Sequence, residues 1–284
     1  MDYREILPRP ELAEQVECFW QMTGSREELD LEPQRILPDG CSELIFNFGD
    51  PVQRHLENGR VEMQGRALAA GQLEGAIRIR PSGQTRLLGL RFRPGGAHRF
   101  LGFPQRELTG RILALEEVAG VWARPLISEV LGARKRGEAK AALERALTPR
   151  DREPTEVERG VEMAVKYILT GGGRVSLSRL SSAMGISGRQ MARRFTRVVG
   201  LGPKRFCRII RFQQVFRQVE RGERVSWAAV AAECGYYDQA HLIRDFKEFS
   251  GETPPALFLQ DSPLTRYFTR RNRVTDSSKP DSWD

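Results

Sequence analysis

Between residues 156 and 254 the apolar side chains recur three and four positions apart, the spacing that gathers them on one face of a helix. Val157, Val161, Ala164, Val165, Ile168 and Leu169 predict a helix over 156–170, which Gly171, Gly172 and Gly173 stop. Leu177, Leu180, Ala183 and Met184 predict a second, with the Ser176 hydroxyl as its N-cap. Gly185 then stands where a tight turn needs positive φ. Ile186 turns back toward the core, and Ser187 caps a third helix whose inner face is Met191, Phe195 and Val198. Apolar spacing from Phe206 through Ile209, Ile210, Phe212, Val215, Phe216 and Val219 predicts a long connector helix over 204–220.

The next stretch repeats this plan. Ser176, Leu177, Leu180, Met184 and Gly185 recur 50 residues later as Ser226, Trp227, Val230, Cys234 and Gly235. After a one-residue insertion at Tyr236 and Tyr237 the offset is 51, so Met191, Arg193, Phe195, Gly200 and Pro203 map onto Leu242, Arg244, Phe246, Gly251 and Pro254. Tyr236 is the second plug, Asp238 the second cap, and Leu242, Phe246 and Phe249 the second inner face. Two short helices around a glycine turn make a helix-turn-helix, whose second helix enters a DNA major groove through its N-terminal residues. As a helix of about 18 residues the connector spans ~27 Å, on the scale of the ~34 Å of one DNA turn.

Ahead of the repeat the periodicity differs. Residues 43–48 are a compact apolar run between the turn signal Pro38, Asp39, Gly40 and the breakers Gly49, Asp50, Pro51. Further strand candidates are 61–64, 75–80 and 86–93, and 9–20 reads as a short helix running into a strand. Short strands with Gly and Pro punctuation suggest a small β-sandwich or barrel, able to enclose one small ligand. From 97 the helical period returns, at 97–103, 112–118, 122–131 and 134–147. The fold class expected is therefore α+β. A β-rich, cupin-like barrel or sandwich with a helical extension precedes an all-α domain of two helix-turn-helix units on a linker helix. The boundaries expected are 1–113 for the β-rich regulatory domain and 114–148 for the helical extension, a candidate for dimerisation. A polar linker follows at 149–154, the DNA-binding domain at 155–260 and a polar, disordered tail at 261–284.

Charge sharpens this division. The net charge of +8 is uneven: residues 1–154 carry 23 basic and 23 acidic side chains, and residues 155–260 carry 17 and 10. The basic excess lies on the repeat, an electrostatic footprint for a polyanion, with duplex DNA the leading partner. No apolar run reaches the ~20 residues of a membrane helix, and a cytoplasmic, nucleoid-associated protein with no membrane partner is expected. Cys18, Cys41, Cys207 and Cys234 form no CxxC pair, and His55, His98 and His241 do not cluster with them, so neither a zinc site nor any cofactor is expected. No catalytic residues stand out, and no enzyme is expected.

The runs 187–195 (Ser187, Arg189, Gln190, Met191, Arg193, Arg194, Phe195), 200–203 and 232–247, with Gly251, Glu252, Thr253 and Pro254, closely resemble the DNA-binding domain of AraC/XylS-type transcription regulators. Residues 37–47 and 91–96 resemble a β-rich N-terminal domain found in one branch of that family. The resemblance covers 155–260 and implies seven helices. It puts Arg189, Ala192 and Arg193 of the first reading helix, and Gln239, Ala240, Ile243 and Arg244 of the second, at the bases. Their chemistry fits: Arg pairs with guanine, Gln with adenine, and Ala or Ile touches a thymine methyl. Arg194, Lys204, Arg205, His241 and Lys247 are expected at phosphates, with local packing an equal alternative for His241. A small-molecule effector, RNA polymerase in the case of an activator, and a second copy of the chain are the other partners expected. Three rival readings of the front half stay open: a metal-dependent enzyme or sensor, a thiol sensor at Cys18 or Cys41, and a bare dimerisation module.

Overall fold

The computed structural model describes residues 2–25, 32–148, 153–219 and 226–259. Its front half is built from ten short strands. They are β1 (Asp2–Ile6), β2 (Val16–Gly24), β3 (Gln34–Ile36), β4 (Glu43–Asn47), β5 (Val52–His55), β6 (Val61–Met63), β7 (Ala67–Ala70), β8 (Ile77–Pro81), β9 (Thr85–Phe92) and β10 (Ile112–Ala114). All pairings are antiparallel, in a six-stranded sheet of order β1-β2-β9-β4-β7-β10 and a four-stranded sheet of order β3-β8-β5-β6.

The period of two decides which way each side chain goes. On β4, Leu44 and Phe46 join one core, while Glu43, Ile45 and Asn47 line a cavity on the opposite face. On β2, Phe19 points with Leu44, whereas Cys18, Trp20 and Met22 pack with Ile36 and Val52 of the smaller sheet. Trp20 lies opposite Gly89 in the β2–β9 register, and a Cβ at Gly89 would fall 1.9 Å from the indole. Glycine is required there because the ring occupies the space of any side chain.

The outer face of the larger sheet is covered by helices: α1 (Gly96–Leu101), α2 (Leu115–Ala119), α3 (Ala123–Gly132) and α4 (Arg136–Leu147). Phe100, Leu115, Leu126, Val130, Ala139 and Leu143 share one core with the sheet. The helical stretch is thus a layer of the front half. Residues 112–118, expected as helix, begin instead as β10 on the edge of β7 before α2 starts. Three apolar residues in a row satisfy either period, and the free edge of β7 decides between them. Residues 10–12 make a single 3₁₀ turn, and the strand expected after it starts at Val16.

The back half holds α5 (Glu156–Thr170), α6 (Leu177–Ala183), α7 (Gly188–Val199), α8 (Pro203–Val219), α9 (Trp227–Glu233), α10 (Gln239–Ser250) and α11 (Pro254–Leu259), the seven helices implied by the resemblance. The chain is α+β, as its patterning predicts. Most of the linker expected at 149–154, the end of the connector beyond 219 and the tail at 261–284 lie outside the described residues.

The two halves are packed together. Leu37, from the loop before β4, is 1% exposed and sits in the core of the helical half with Phe206, Ile209 and Ile210 of α8. Gln213 Nε2 donates to the Pro38 carbonyl at 2.6 Å, and Thr109 Oγ1 donates to the Gly200 carbonyl at 2.8 Å. Arg35 pairs with Glu252 at 2.7 Å.

Candidate nucleic-acid interface

Each reading helix is started by a side-chain cap. Ser187 Oγ accepts from the Gln190 N–H at 3.2 Å while Gln190 Oε1 accepts from the Ser187 N–H at 3.0 Å, a reciprocal capping box at the head of α7. At the head of α10, Asp238 Oδ1 accepts from the His241 N–H at 2.6 Å. The supporting helices are capped alike, by Ser176 on α6 and Ser226 on α9. Gly185 and Gly235 hold φ of +63° and +77° at the two turns, as the repeat requires. Tyr236 is buried beneath the second turn; Ile186, expected to plug the first, is only half-buried.

With Met191, Phe195 and Val198 buried, α7 presents Arg189 and Arg193 to solvent at its N-terminal end, with Gln190 beside them; Ala192 and Arg194 are half-buried. With Leu242, Phe246 and Phe249 buried, α10 presents Gln239, Ala240, Arg244 and Lys247. Ile243 is half-buried against the core. Lys204 is exposed on the first turn of α8. Each helix therefore carries its expected base-reading residues together within its first two turns. Exposed Arg197 of α7 and Arg179 of α6 were not singled out from the sequence.

Two residues expected at phosphates make contacts within the protein. The guanidinium of Arg205 bonds to Glu248, donates to the Glu74 carbonyl of the front half at 2.5 Å and lies over the Phe249 ring. It is a strut between the halves, because Glu74 belongs to the front half and Glu248 to α10. His241 stacks edge-on against Tyr236, with ring centroids 5.2 Å apart, and the Tyr237 N–H points to its Nδ1 at 3.5 Å. These are the contacts that the local-packing reading expects.

A charged seam fixes α10 on the linker helix. Arg208 reaches Asp245 Oδ1 through Nη2 at 2.8 Å and Nε at 3.2 Å, and also bonds Glu248. Arg208, then burial in opposition, then Arg205 act on Glu248, and the net effect holds its carboxyl below the usual range. Arg211 lies over the Tyr236 ring, 5.6 Å from its centroid. Asp245 is missed by apolar spacing, although its place between Leu242 and Phe246 puts a carboxylate on an inward face, where a buried acid needs a cation.

All four cysteines are buried free thiols, and burial pushes Cys18, Cys207 and Cys234 upward, the last two to about 11. A thiolate is thereby disfavoured at those three positions. Among the described residues no helix is long and apolar enough to cross a membrane.

Residues 180–260 match the family model of a helix-turn-helix domain, and residues 4–114 match that of a domain of unknown function, DUF6597. No curated protein matches the chain. Among solved structures the chain is similar to ToxT from Vibrio cholerae, with 9% identity and a TM-score of 0.46 over 85% of this chain and 99% of that one. A structure of Vibrio cholerae ToxT bound to an unsaturated fatty acid is similar at 9% identity and a TM-score of 0.40, covering 84% and 97% of the two chains. The AraC-like transcriptional activator CuxR is similar at 13% identity and a TM-score of 0.25, covering 78% and 95%.

Proposed function

We propose that the chain, whose residues 180–260 match the family model of a helix-turn-helix domain, is an AraC/XylS-type DNA-binding transcription regulator that reads a non-palindromic site through two unlike helices. The observation that carries this is the pair of capped helices, α7 and α10, raised from one repeated scaffold with different exposed residues. Arg189, Ala192 and Arg193 contact bases in one major groove; Gln239, Ala240, Ile243 and Arg244 contact bases in another. Arg194, Lys204 and Lys247 hold phosphates. Each helix alone reads only a few base pairs, and α8 joins the two readings, so affinity requires both.

The front half is the regulatory part, and its cavity is where a small-molecule effector binds. RNA polymerase is a further partner where the chain activates, and a second copy where it binds as a dimer. Selection of binding sites from random duplexes, followed by footprinting, tests the reading. The result expected is one asymmetric motif with two separated blocks, the first lost in Arg193→Ala and the second in Arg244→Ala. A palindromic motif, or binding with no sequence preference, overturns it.

A further inference from the structure

The cavity lies between the two sheets and encloses about 830 Å³ of empty space, its open mouth included. Most of its wall is apolar: Trp20, Ile45, Leu68, Ile77, Ile79 and Leu87 contribute to it. Such a lining suits an apolar or aromatic body. Its charged groups have one sign: Asp39 and Glu43 line it, and among the described residues no Lys, Arg or His does.

Behind these carboxylates stands a buried cation. Arg91 Nε meets Glu43 Oε1 at 2.8 Å and Asp39 Oδ2 at 3.5 Å, and Arg91 Nη1 meets Glu5 Oε1 at 3.3 Å. One guanidinium thus meets three carboxylates in a poorly solvated place. Among the described residues the one ion pair of Glu43 is the Arg91 contact through Oε1. Burial, countered by Arg91 and reinforced by Asp39, pushes the Glu43 carboxyl upward.

We propose that this cavity binds a ligand with an apolar or aromatic body and a cationic, amine-type head, which pairs with Glu43 and Asp39. The inference rests on the effector reading above and adds its chemical class. A carboxylate ligand would meet two like charges among the described wall residues, so the lining favours a cation over an organic anion. Occupancy has a direct path to the DNA-binding half. Leu37 and Asp39 are both cavity wall, and the loop carrying them touches α8. Pro38 accepts from Gln213, and a Cβ at Gly40 would lie 3.0 Å from Phe206. A head group drawing Asp39 toward the cavity pulls on the same loop, residues 37–42, that seats α8.

The test uses the full chain and three matched probes, phenylbutylamine, phenylbutanol and phenylbutyrate, measured by calorimetry above neutral pH. The amine is expected to bind about tenfold or more tightly than the alcohol, the worth of a charge-assisted hydrogen bond, and the acid is expected not to bind. Glu43→Gln and Asp39→Asn, checked for folding by circular dichroism, should each bring the amine toward the alcohol. If one of them fails to fold, the other reads the same contact. Equal or tighter binding of the acid overturns the charge class while leaving an effector cavity in place. Failure of all three probes, together with unchanged DNA affinity and raised thermal stability in the space-filling Leu68→Trp, overturns the effector cavity itself. Amine binding that survives both carboxylate substitutions unchanged also overturns the proposal, since the charge pair then plays no part.

Discussion

Leu37→Ala is the most direct probe of how the halves communicate. Leu37 comes from the β-rich half, yet its side chain is 1% exposed in a core made by α5, α7 and α8. Truncating a buried leucine costs roughly 2–5 kcal/mol through lost transfer energy and the cavity left behind. Here the contact joins two packed halves, which can close partly over the gap, so the lower part of that range applies, about 2–3 kcal/mol. That loss falls on the opening of the interface rather than on either core alone. Amides in the first turns of α8 that exchange through this opening should therefore speed up about 30- to 150-fold, at a factor of ten per 1.4 kcal/mol. Hydrogen exchange read by mass spectrometry on the intact chain measures it. Leu88→Ala is the control, since Leu88 is equally buried but packs under α1–α4 in the other core. It should lower global stability without a selective change in α8. If Leu37→Ala leaves α8 exchange unchanged relative to that control, Leu37 is ordinary filling and the coupling route through its loop fails.

Other consequences follow from the charged and crowded positions. Arg193→Ala should cost about 1–3 kcal/mol at a cognate site and relax base preference there; gel-shift titration against single-base variants reads both. Lys247→Ala should reduce the slope of log affinity against log salt by about one, whereas Arg205→Ala should leave it unchanged, because Glu248 and the Glu74 carbonyl hold that guanidinium. A salt slope lowered by Arg205→Ala would return Arg205 to the phosphates. Glu43 titrates up at about 7, so the folded chain keeps a proton that the unfolded chain has released at a lower pH. Its contribution is present below the usual carboxylate range and is lost as pH rises through about 7. The charges facing it are Arg91 from β9 and Asp39 from the loop, with Glu5 of β1 across Arg91. Denaturant unfolding across that range should show stability declining with pH in the wild type and a flatter profile in Glu43→Gln.

The helical half was legible because several independent signals coincide at each boundary. A cap, a 3.6-residue period and a glycine with positive φ recur 50 residues apart, and chance satisfies one of these easily but not all. The front half was legible where Gly and Pro set off an apolar run or a strand was long enough to show its period, at 43–48, 61–64, 75–80 and 86–93. β3 and β10 have three residues each, too few for alternation to differ from helical spacing. They exist because neighbouring edges offer hydrogen bonds, a property of the sheet rather than of the segment. The same limit applies to charged side chains. Arg205 looks like a phosphate ligand in a basic helix, and its partner Glu74 is 131 residues away. His241 was left between a phosphate and local packing, since its packing neighbour Tyr236 is only five residues away and its helix is also a candidate to face DNA.

The repeat gives two equal scaffolds, but the structure supports them unequally. In the second unit α9 packs on both α8 and α10, and Arg208 ties α10 to α8 through Asp245 and Glu248. In the first, α6 buries only Ser181, with Leu177, Leu180 and Met184 half-buried. The position of α7 depends instead on what touches its far end. It packs on α5, on α1 and on the turn at 105–107, and the Gly200 carbonyl after it accepts from Thr109. Two of those three neighbours, and Thr109, belong to the front half. A movement of the front half therefore reaches α7 directly, whereas it reaches α10 through two side-chain links, Arg205 between Glu74 and Glu248 and Arg35 on Glu252 just past the helix. An effector acting through the front half would then adjust chiefly how the arginine-bearing helix meets DNA.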